Sequence, residues 1–317
     1  MPKIGREQMH QAIECRAAER SFHPVTNYLD RLAWDGEQRL EHWLADYLGA
    51  EQNDYVAHVG RMFLIAMVAR VYRPGCKADY MLVLEGEQGT RKSSACRILA
   101  GDWFSDSLPE IHQKDAAQHL RGKWLIEVAE LSATKRADSE GLKAFISKTV
   151  ERYRPSYGRG EVIEPRQCVF IGTTNGARYL KDETGGRRFW PVRVGEIDLA
   201  ALERDRDQVL AEAASRYRAG EHWWPDHALE RELIRPEQEA RYETDAWEEA
   251  ICAYLTPPEG AARTAVKVTE VAMNVFGLEL GKIGTIEQRR VSRVLQKLGW
   301  VHGEGALRRH YVPRRDS

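Results

Sequence analysis

The segment Gly86-Glu87-Gln88-Gly89-Thr90-Arg91-Lys92-Ser93-Ser94 follows directly on the apolar run Tyr80-Met81-Leu82-Val83-Leu84. The order is strand, glycine loop, Lys-Ser, helix. A strand delivers the chain to a sheet edge, and glycines let successive backbone N–H groups turn toward one point. A lysine then reaches the β/γ-phosphates, and a serine hydroxyl completes the shell of a magnesium ion. The run Ser93-Ser94-Ala95-Cys96-Arg97-Ile98-Leu99-Ala100 has helix composition and ends at Gly101. The expectation is therefore an α/β chain that binds ATP with Mg2+. Gly86, Gln88, Gly89, Thr90, Arg91, Lys92, Ser93 and Ser94 would cradle the nucleotide, and Ser93 would reach the metal.

The usual loop reads G-x-x-x-x-G-K-[ST], and Arg91 stands where the second glycine belongs. Two outcomes are open. Either Arg91 crowds the pyrophosphate or holds a strained backbone, at a cost of about 1–3 kcal/mol, or Gly89 supplies the flexibility and Arg91 points outward.

Short apolar runs alternate with helical stretches over residues 79–195, which implies a sheet layered with helices. The expected strands are Tyr80–Leu84, Lys123–Ala129, Val169–Thr174 and Phe189–Val194. Residues 1–78 read as a helical N-terminal region. Asn53 is positioned to cap a helix from Asp54 to Tyr72, with Val56, Val59, Phe63, Met67 and Val71 at helical spacing. An earlier helix is expected over Glu37–Leu48, ending at Gly49. Residues 196–250 read as a charged helical tail of the core domain (79–250), broken at Trp223-Trp224-Pro225. Residues 251–317 form a separate unit, in which Pro257-Pro258-Glu259-Gly260 marks a linker or turn. Helices Val268–Phe276 and Ile286–Leu298, then strand-like runs Trp300–His302 and Leu307–Val312, follow the order of a winged helix.

The formal net charge of −1 hides an uneven distribution. Nine Lys/Arg face three Asp/Glu from Lys282 to the C-terminus, which suggests a local anionic partner. Arg289, Arg290, Arg293 and Lys297 on the last helix, with Arg308 and Arg309 on the wing, are the expected DNA-contacting residues. The rival reading is a protein-binding winged helix whose arginines are merely solvated. The five cysteines are scattered singly, which suits a reducing compartment and free buried thiols rather than disulfides or zinc. The longest apolar stretch, Met62–Ala69, is too short to span a bilayer, so the expected protein is cytoplasmic with no membrane partner.

A triphosphatase also needs an acid at the end of a neighbouring strand. The run Lys123–Leu131 supplies Glu127 and Glu130, with Glu130 the first choice for metal and water positioning and Glu127 the second. Asn175, at the tip of the run Phe170–Asn175, can orient the attacking water. Arg187 and Arg188, after Gly185-Gly186, can stabilise charge on a transferring phosphoryl group; Arg152, Arg154 and Arg159 form a second basic cluster.

Taken in order, Glu85–Ser93, Lys123–Leu131, Tyr153-Arg154-Pro155-Ser156-Tyr157-Gly158-Arg159, Gly172-Thr173-Thr174-Asn175 and Gly185-Gly186-Arg187-Arg188-Phe189-Trp190-Pro191-Val192 resemble the virulence-associated protein E family over residues 25–240. That family is the superfamily 3-like helicase domain of phages, satellites and genomic islands. The resemblance implies a P-loop, AAA+-type ATPase core, an Mg-ATP-dependent DNA helicase or translocase acting in replication of a phage or mobile element. It places Lys92 and Ser93 in the Walker A role, Glu130 with Glu127 in the Walker B role, and Asn175 in the sensor role. Arg187 or Arg188 would be the arginine supplied across a subunit boundary. It further implies a homo-oligomeric ring such as a hexamer, single-stranded or forked DNA, and a separate primase or host replication proteins as partners. A replication loader with impaired hydrolysis is the alternative, because Arg91 departs from the pattern.

Overall fold

A computed structural model describes residues 5–20, 22–111, 114–131, 136–154, 160–176, 179–180, 186–242, 246–257 and 262–314. Its contacts divide the chain into residues 1–242 and 243–317. The first unit is built on a five-stranded, all-parallel sheet of order β2-β3-β6-β1-β7. The strands are β1 (Met81–Glu85), β2 (Phe104–Ser105), β3 (Leu125–Val128), β6 (Val169–Thr174) and β7 (Phe189–Arg193). Between β3 and β6 a two-stranded antiparallel ribbon forms from β4 (Val150–Tyr153) and β5 (Val162–Pro165). Four of the five sheet strands fall on the apolar runs marked in the sequence, β6 without change and the other three differing at one or both ends by a residue or two. The ribbon was not anticipated. Of the Tyr153–Arg159 motif, residues 155–159 lie outside the described residues.

A parallel sheet is covered on both faces, so its strands read as continuous apolar runs. Strand alternation decides which residue meets which cover. Leu82 and Leu84 of β1 enter a core with Leu29, Leu44 and Phe63 of the N-terminal helices, and Met81 and Val83 enter the core on the opposite face. The four N-terminal helices are α1 (Arg6–Glu19), α2 (Pro24–Arg31), α3 (Trp43–Leu48) and α4 (Asp54–Tyr72). From α4, Val59, Phe63 and Met67 share this core with Leu82, Ile171 and Val192. Asn53 Oδ1 accepts from Val56 N at 2.9 Å, the cap expected from sequence. The helix is long and apolar enough by composition to cross a bilayer, which the shorter run Met62–Ala69 did not suggest. Here it is a core helix: Val59, Leu64, Ile65 and Met67 are fully buried. Residues 25–78 therefore share one hydrophobic core with the sheet, not a region of their own.

The helix expected over Glu37–Leu48 is confined to Trp43–Leu48. The buried carboxylate of Glu212 accepts from the backbone N–H of Arg39 (2.6 Å) and Leu40 (2.8 Å), which diverts the donors an earlier turn would use. Gly49 closes α3 in the left-handed conformation, φ +63°. A Cβ there would lie 2.7 Å from Glu196 O, so the close approach of α3 to the end of β7 also requires glycine.

On the other face lie α6 (Lys114–His119) and α7 (Arg136–Ile146), with Leu142, Phe145 and Ile146 packed on Ile126 and Phe170. Helix α5 (Lys92–Ala100) follows β1, and α8 (Leu199–Arg218) follows β7. The unit ends with α9 (His227–Leu229), a π turn at Glu230–Ile234 and α10 (Arg235–Glu239). Trp223 is buried and donates from its indole to Lys77 O at 2.6 Å, while Trp224 is 43 % exposed and stacks on His222.

The second unit contains α11 (Ala246–Leu255), α12 (Val268–Phe276), α13 (Thr285–Lys297), β8 (Trp300–His302) and β9 (Tyr311–Pro313), the last two antiparallel. Its core joins Ile251, Leu255, Val271, Val291, Leu295, Trp300 and Tyr311. The boundary expected at 250/251 falls instead at 242/243, because Ile251 and Leu255 hold α11 in this core. The final strand begins later than expected. Leu307 N→Glu304 O and His310 N→Leu307 O bonds wind residues 304–310 into turns.

Candidate nucleotide site

The loop 86–91 leaves the C-terminal end of β1, and Lys92 opens α5. In open α/β sheets ligands bind outside the carboxyl ends of the strands, and here that end carries a cleft of about 420 Å³. Every wall is contributed by a segment singled out in the sequence: residues 88–94, Glu127 to Glu130, and Thr173 to Asn175.

Arg91 caps α5 with φ +65° and ψ +25°, the left-handed conformation that glycine normally supplies. Gly89 is also left-handed, at φ +87°. Both halves of the alternative posed by the sequence thus occur together: Arg91 holds the unfavourable backbone, and its side chain is exposed. Among the described residues the other non-glycine with positive φ is Glu130, at +53°. Both lie on the cleft. An L-residue in this region costs about 1–2 kcal/mol, and such strain concentrates at functional sites.

Lys92 is 7 % exposed. Its Nζ donates to Gly86 O (2.8 Å), Glu87 O (2.9 Å), Thr90 Oγ1 (3.2 Å) and Asn175 Oδ1 (3.2 Å). The ammonium thus sits inside the loop and touches the strand-tip amide. Burial pulls its pKa below the usual lysine value, and the nearby Glu127 carboxylate pulls part of the way back.

The two carboxylates differ in kind. Glu127 is 1 % exposed, on β3. Its Oε1 accepts from Ser93 Oγ at 2.7 Å and from Thr173 Oγ1 at 2.6 Å. Its Oε2 is buried with no hydrogen-bond partner among the described residues. Glu130 is exposed at the cleft rim, beyond the end of the strand. Contact with Ser93 therefore belongs to Glu127, the sequence's second choice, and not to Glu130. Strand β6 lies between β1 and β3 and brings Thr173 and Asn175 to the centre of the cleft. Gly172 packs closely there: a Cβ would meet Leu131 Cδ1 at 2.5 Å, and Leu131 directly follows Glu130.

The donor set suits a magnesium nucleotide. Mg2+ is held by one or two protein oxygens, with phosphates and water completing the octahedron. Ser93 Oγ and the unpartnered Oε2 of Glu127 are such oxygens. A dedicated cage is not needed, and no cluster of three or more His, Cys, Asp or Glu capable of holding a metal occurs among the described residues.

Residues 29–243 match the virulence-associated protein E-like domain. The chain belongs to that family. No curated protein matches it. Among solved structures, an apo A form of the NrS-1 C-terminal region is 14 % identical at a TM-score of 0.50, covering 92 % of this chain and 78 % of that one. A second apo structure of the same region is 15 % identical at a TM-score of 0.47, covering 86 % of this chain and 67 % of the other. At this identity the likeness concerns the fold.

In this virulence-associated protein E-like chain, the arginine pair is split by its surroundings. Arg188 Nε donates to Ser147 Oγ at 2.7 Å, whereas Arg187 is exposed. Gly186 is buried; Gly185 lies outside the described residues. Arg152 and Arg154 are exposed on and just after β4.

In the C-terminal unit, Val291, Val294 and Leu295 of α13 face the core, so Arg289 and Arg293 project outward and are exposed, as are Arg308 and Arg309. Arg290 instead lies over the Trp247 ring at 4.2 Å, and Lys297 pairs with Glu248 at 2.7 Å. Both are engaged within the unit, which separates them from the other four basic residues.

Sequence reasoning missed Thr173 as a partner of Glu127. The signal was present, since Thr173 and Asn175 are two residues apart at a strand end and so share a side. It also missed Arg241, which binds Glu85 at the base of the loop. A pairing across 156 residues leaves no local pattern.

Proposed function

We propose that this protein is an Mg-ATP-dependent phosphohydrolase of the AAA+ type that acts on DNA in replication of a phage or mobile element. The observation that carries the reading is the convergence of Lys92, Ser93, Glu127 and Asn175 at the carboxyl ends of β1, β3 and β6. The amides of residues 89–93, at the positive end of α5, would hold the phosphates. Ser93 and Glu127 would hold the magnesium, which supplies Lewis-acid neutralisation of the β- and γ-oxygens. Lys92 would exchange its loop carbonyls for phosphate oxygens, which needs little movement of the backbone. Water attacks the γ-phosphorus, the bond to the β,γ-bridging oxygen breaks, and Glu130 accepts the water's proton while Asn175 orients it. Arg187 would act on a neighbouring copy in a ring, such as a hexamer. The C-terminal unit, read as a winged helix, would hold single-stranded or forked DNA through Arg289, Arg293, Arg308 and Arg309. A separate primase or host replication proteins would supply the remaining activities.

The test is DNA-stimulated ATP hydrolysis by the wild type and Lys92→Ala, measured across protein concentration. Hydrolysis that rises with concentration and vanishes in Lys92→Ala is expected. No such hydrolysis by the wild type would sink the enzyme reading. One observation favours the alternative of a loader with impaired hydrolysis: Arg91 occupies a glycine conformation at the head of α5. On that reading Arg91→Gly would hydrolyse ATP substantially faster than the wild type.

A further inference from the structure

The carboxylate of Glu85, the last residue of β1, is buried directly beneath the loop that begins at Gly86. Both its oxygens accept from one guanidinium: Arg241 Nε lies 3.1 and 3.2 Å from Oε1 and Oε2, and Arg241 Nη2 lies 3.1 Å from Oε2. Arg241 Nη1 in turn bonds Glu237, through both its carbonyl and its carboxylate. Arg241 is thus fixed in a fork between two acids, a geometry lysine cannot reproduce in full.

The backbone of the same residue is fixed too. Arg241 O accepts from Tyr179 N and Leu180 N, each at 3.2 Å, four and five residues beyond Asn175. Leu180 bridges Tyr242 in parallel. Tyr242 crowds Gly186, where a Cβ would lie 2.0 Å from its hydroxyl oxygen, and Gly186 directly precedes Arg187. Residues 241–242 therefore touch the base of the phosphate loop, the exit of the Asn175 strand and the root of the arginine pair. They are also the last two residues of the first unit.

A buried ion pair is weak evidence for stability, since well-packed apolar side chains of similar volume often do as well. What this pair supplies is position. We propose that Arg241 is a positioning residue that holds the phosphate loop through Glu85 and transmits occupancy of the cleft to the chain entering the C-terminal unit. The inference rests on the nucleotide reading of the cleft.

The test compares wild type, Arg241→Lys, Arg241→Met and the double variant Glu85→Gln/Arg241→Met. The double variant leaves no buried charge unpaired, so it serves if Arg241→Met alone fails to fold. Two quantities are read: affinity for a non-hydrolysable ATP analogue with Mg2+, and the rate of proteolysis between residues 242 and 246 with and without the analogue. In the wild type the analogue should change the cleavage rate at least threefold. In Arg241→Met, or in the double variant, affinity should drop at least tenfold and cleavage should no longer respond at saturating analogue, with partial rescue in Arg241→Lys. If the double variant binds the analogue and responds as the wild type does, this inference fails and the nucleotide reading stands. Wild type that binds the analogue without any change in cleavage also overturns it. If the wild type does not bind the analogue at all, both fall together.

Discussion

Ser93 Oγ donates to Glu127 Oε1 at 2.7 Å, joining the first turn of α5 to β3, which β6 separates from the strand leading into that helix. The carboxylate is buried, and its second oxygen has no partner among the described residues. A buried, half-satisfied carboxylate is costly to keep. An open acceptor of this kind suits a cation that arrives with the ligand.

Glu127→Gln should therefore uncouple metal from nucleotide. Affinity for ATP without magnesium should hold within a few fold, the gain on adding Mg2+ should be lost, and hydrolysis should fall by about 10²-fold or more. Glu130→Gln should lower hydrolysis while leaving the magnesium gain intact. Titration calorimetry with and without EDTA separates the two. An undiminished magnesium gain in Glu127→Gln would remove Glu127 from the metal site.

Arg91→Gly should relieve strain. The left-handed backbone costs arginine about 1–2 kcal/mol, and glycine returns about 0.5–1 kcal/mol of that as unfolded-state entropy. The net change should lie between zero and about 1.5 kcal/mol of stabilisation by denaturant unfolding. Arg91→Val, with a branched Cβ in the same conformation, should be clearly less stable than the wild type. A Val variant as stable as the Gly variant would show that the loop does not enforce this conformation.

Binding should take up a proton at alkaline pH. Burial depresses the Lys92 pKa in the free protein, whereas a bound polyphosphate favours the ammonium. Between the depressed value and the ordinary lysine value of about 10.4, the unfolded chain holds more protons at this site than the folded one. This group's contribution to stability therefore rises with pH through that window. Nucleotide affinity falls through the same window, because the ammonium must be restored. Calorimetry in buffers of different ionisation enthalpy reads the uptake directly, and Lys92→Arg should abolish it.

The exposed basic residues of the C-terminal unit make a salt-dependence prediction. Arg289→Ala and Arg293→Ala should each lower the slope of log K against log salt for DNA by about 0.7–0.9, the release of roughly one counterion. Lys297→Ala should change it less, because Lys297 already pairs with Glu248. A DNA affinity indifferent to salt in the wild type would return this unit to a protein-binding role.

Much of the molecule was written in local pattern. Helices α4 and α12 and strand β6 begin and end where caps and apolar spacing placed them. The loop 86–91, its lysine and the asparagine at the tip of β6 could be picked out because each belongs to a short segment of distinctive composition. Local pattern failed where a distant group took over the backbone. Glu212 reaches Arg39 and Leu40 and shortens α3 from its N-terminal side. The core residues Ile251 and Leu255 hold α11 in the second unit, across the boundary expected at 250/251.

The sequence by itself determined the periodicities of the strands and helices and the identity of the groups available at the cleft. Only the tertiary structure decided which acid meets Ser93, which arginine stays exposed, and that Arg241 braces Glu85. Periodicity and capping act over a few residues, whereas these choices depend on strand order in the sheet and on which charges are buried beside which partners.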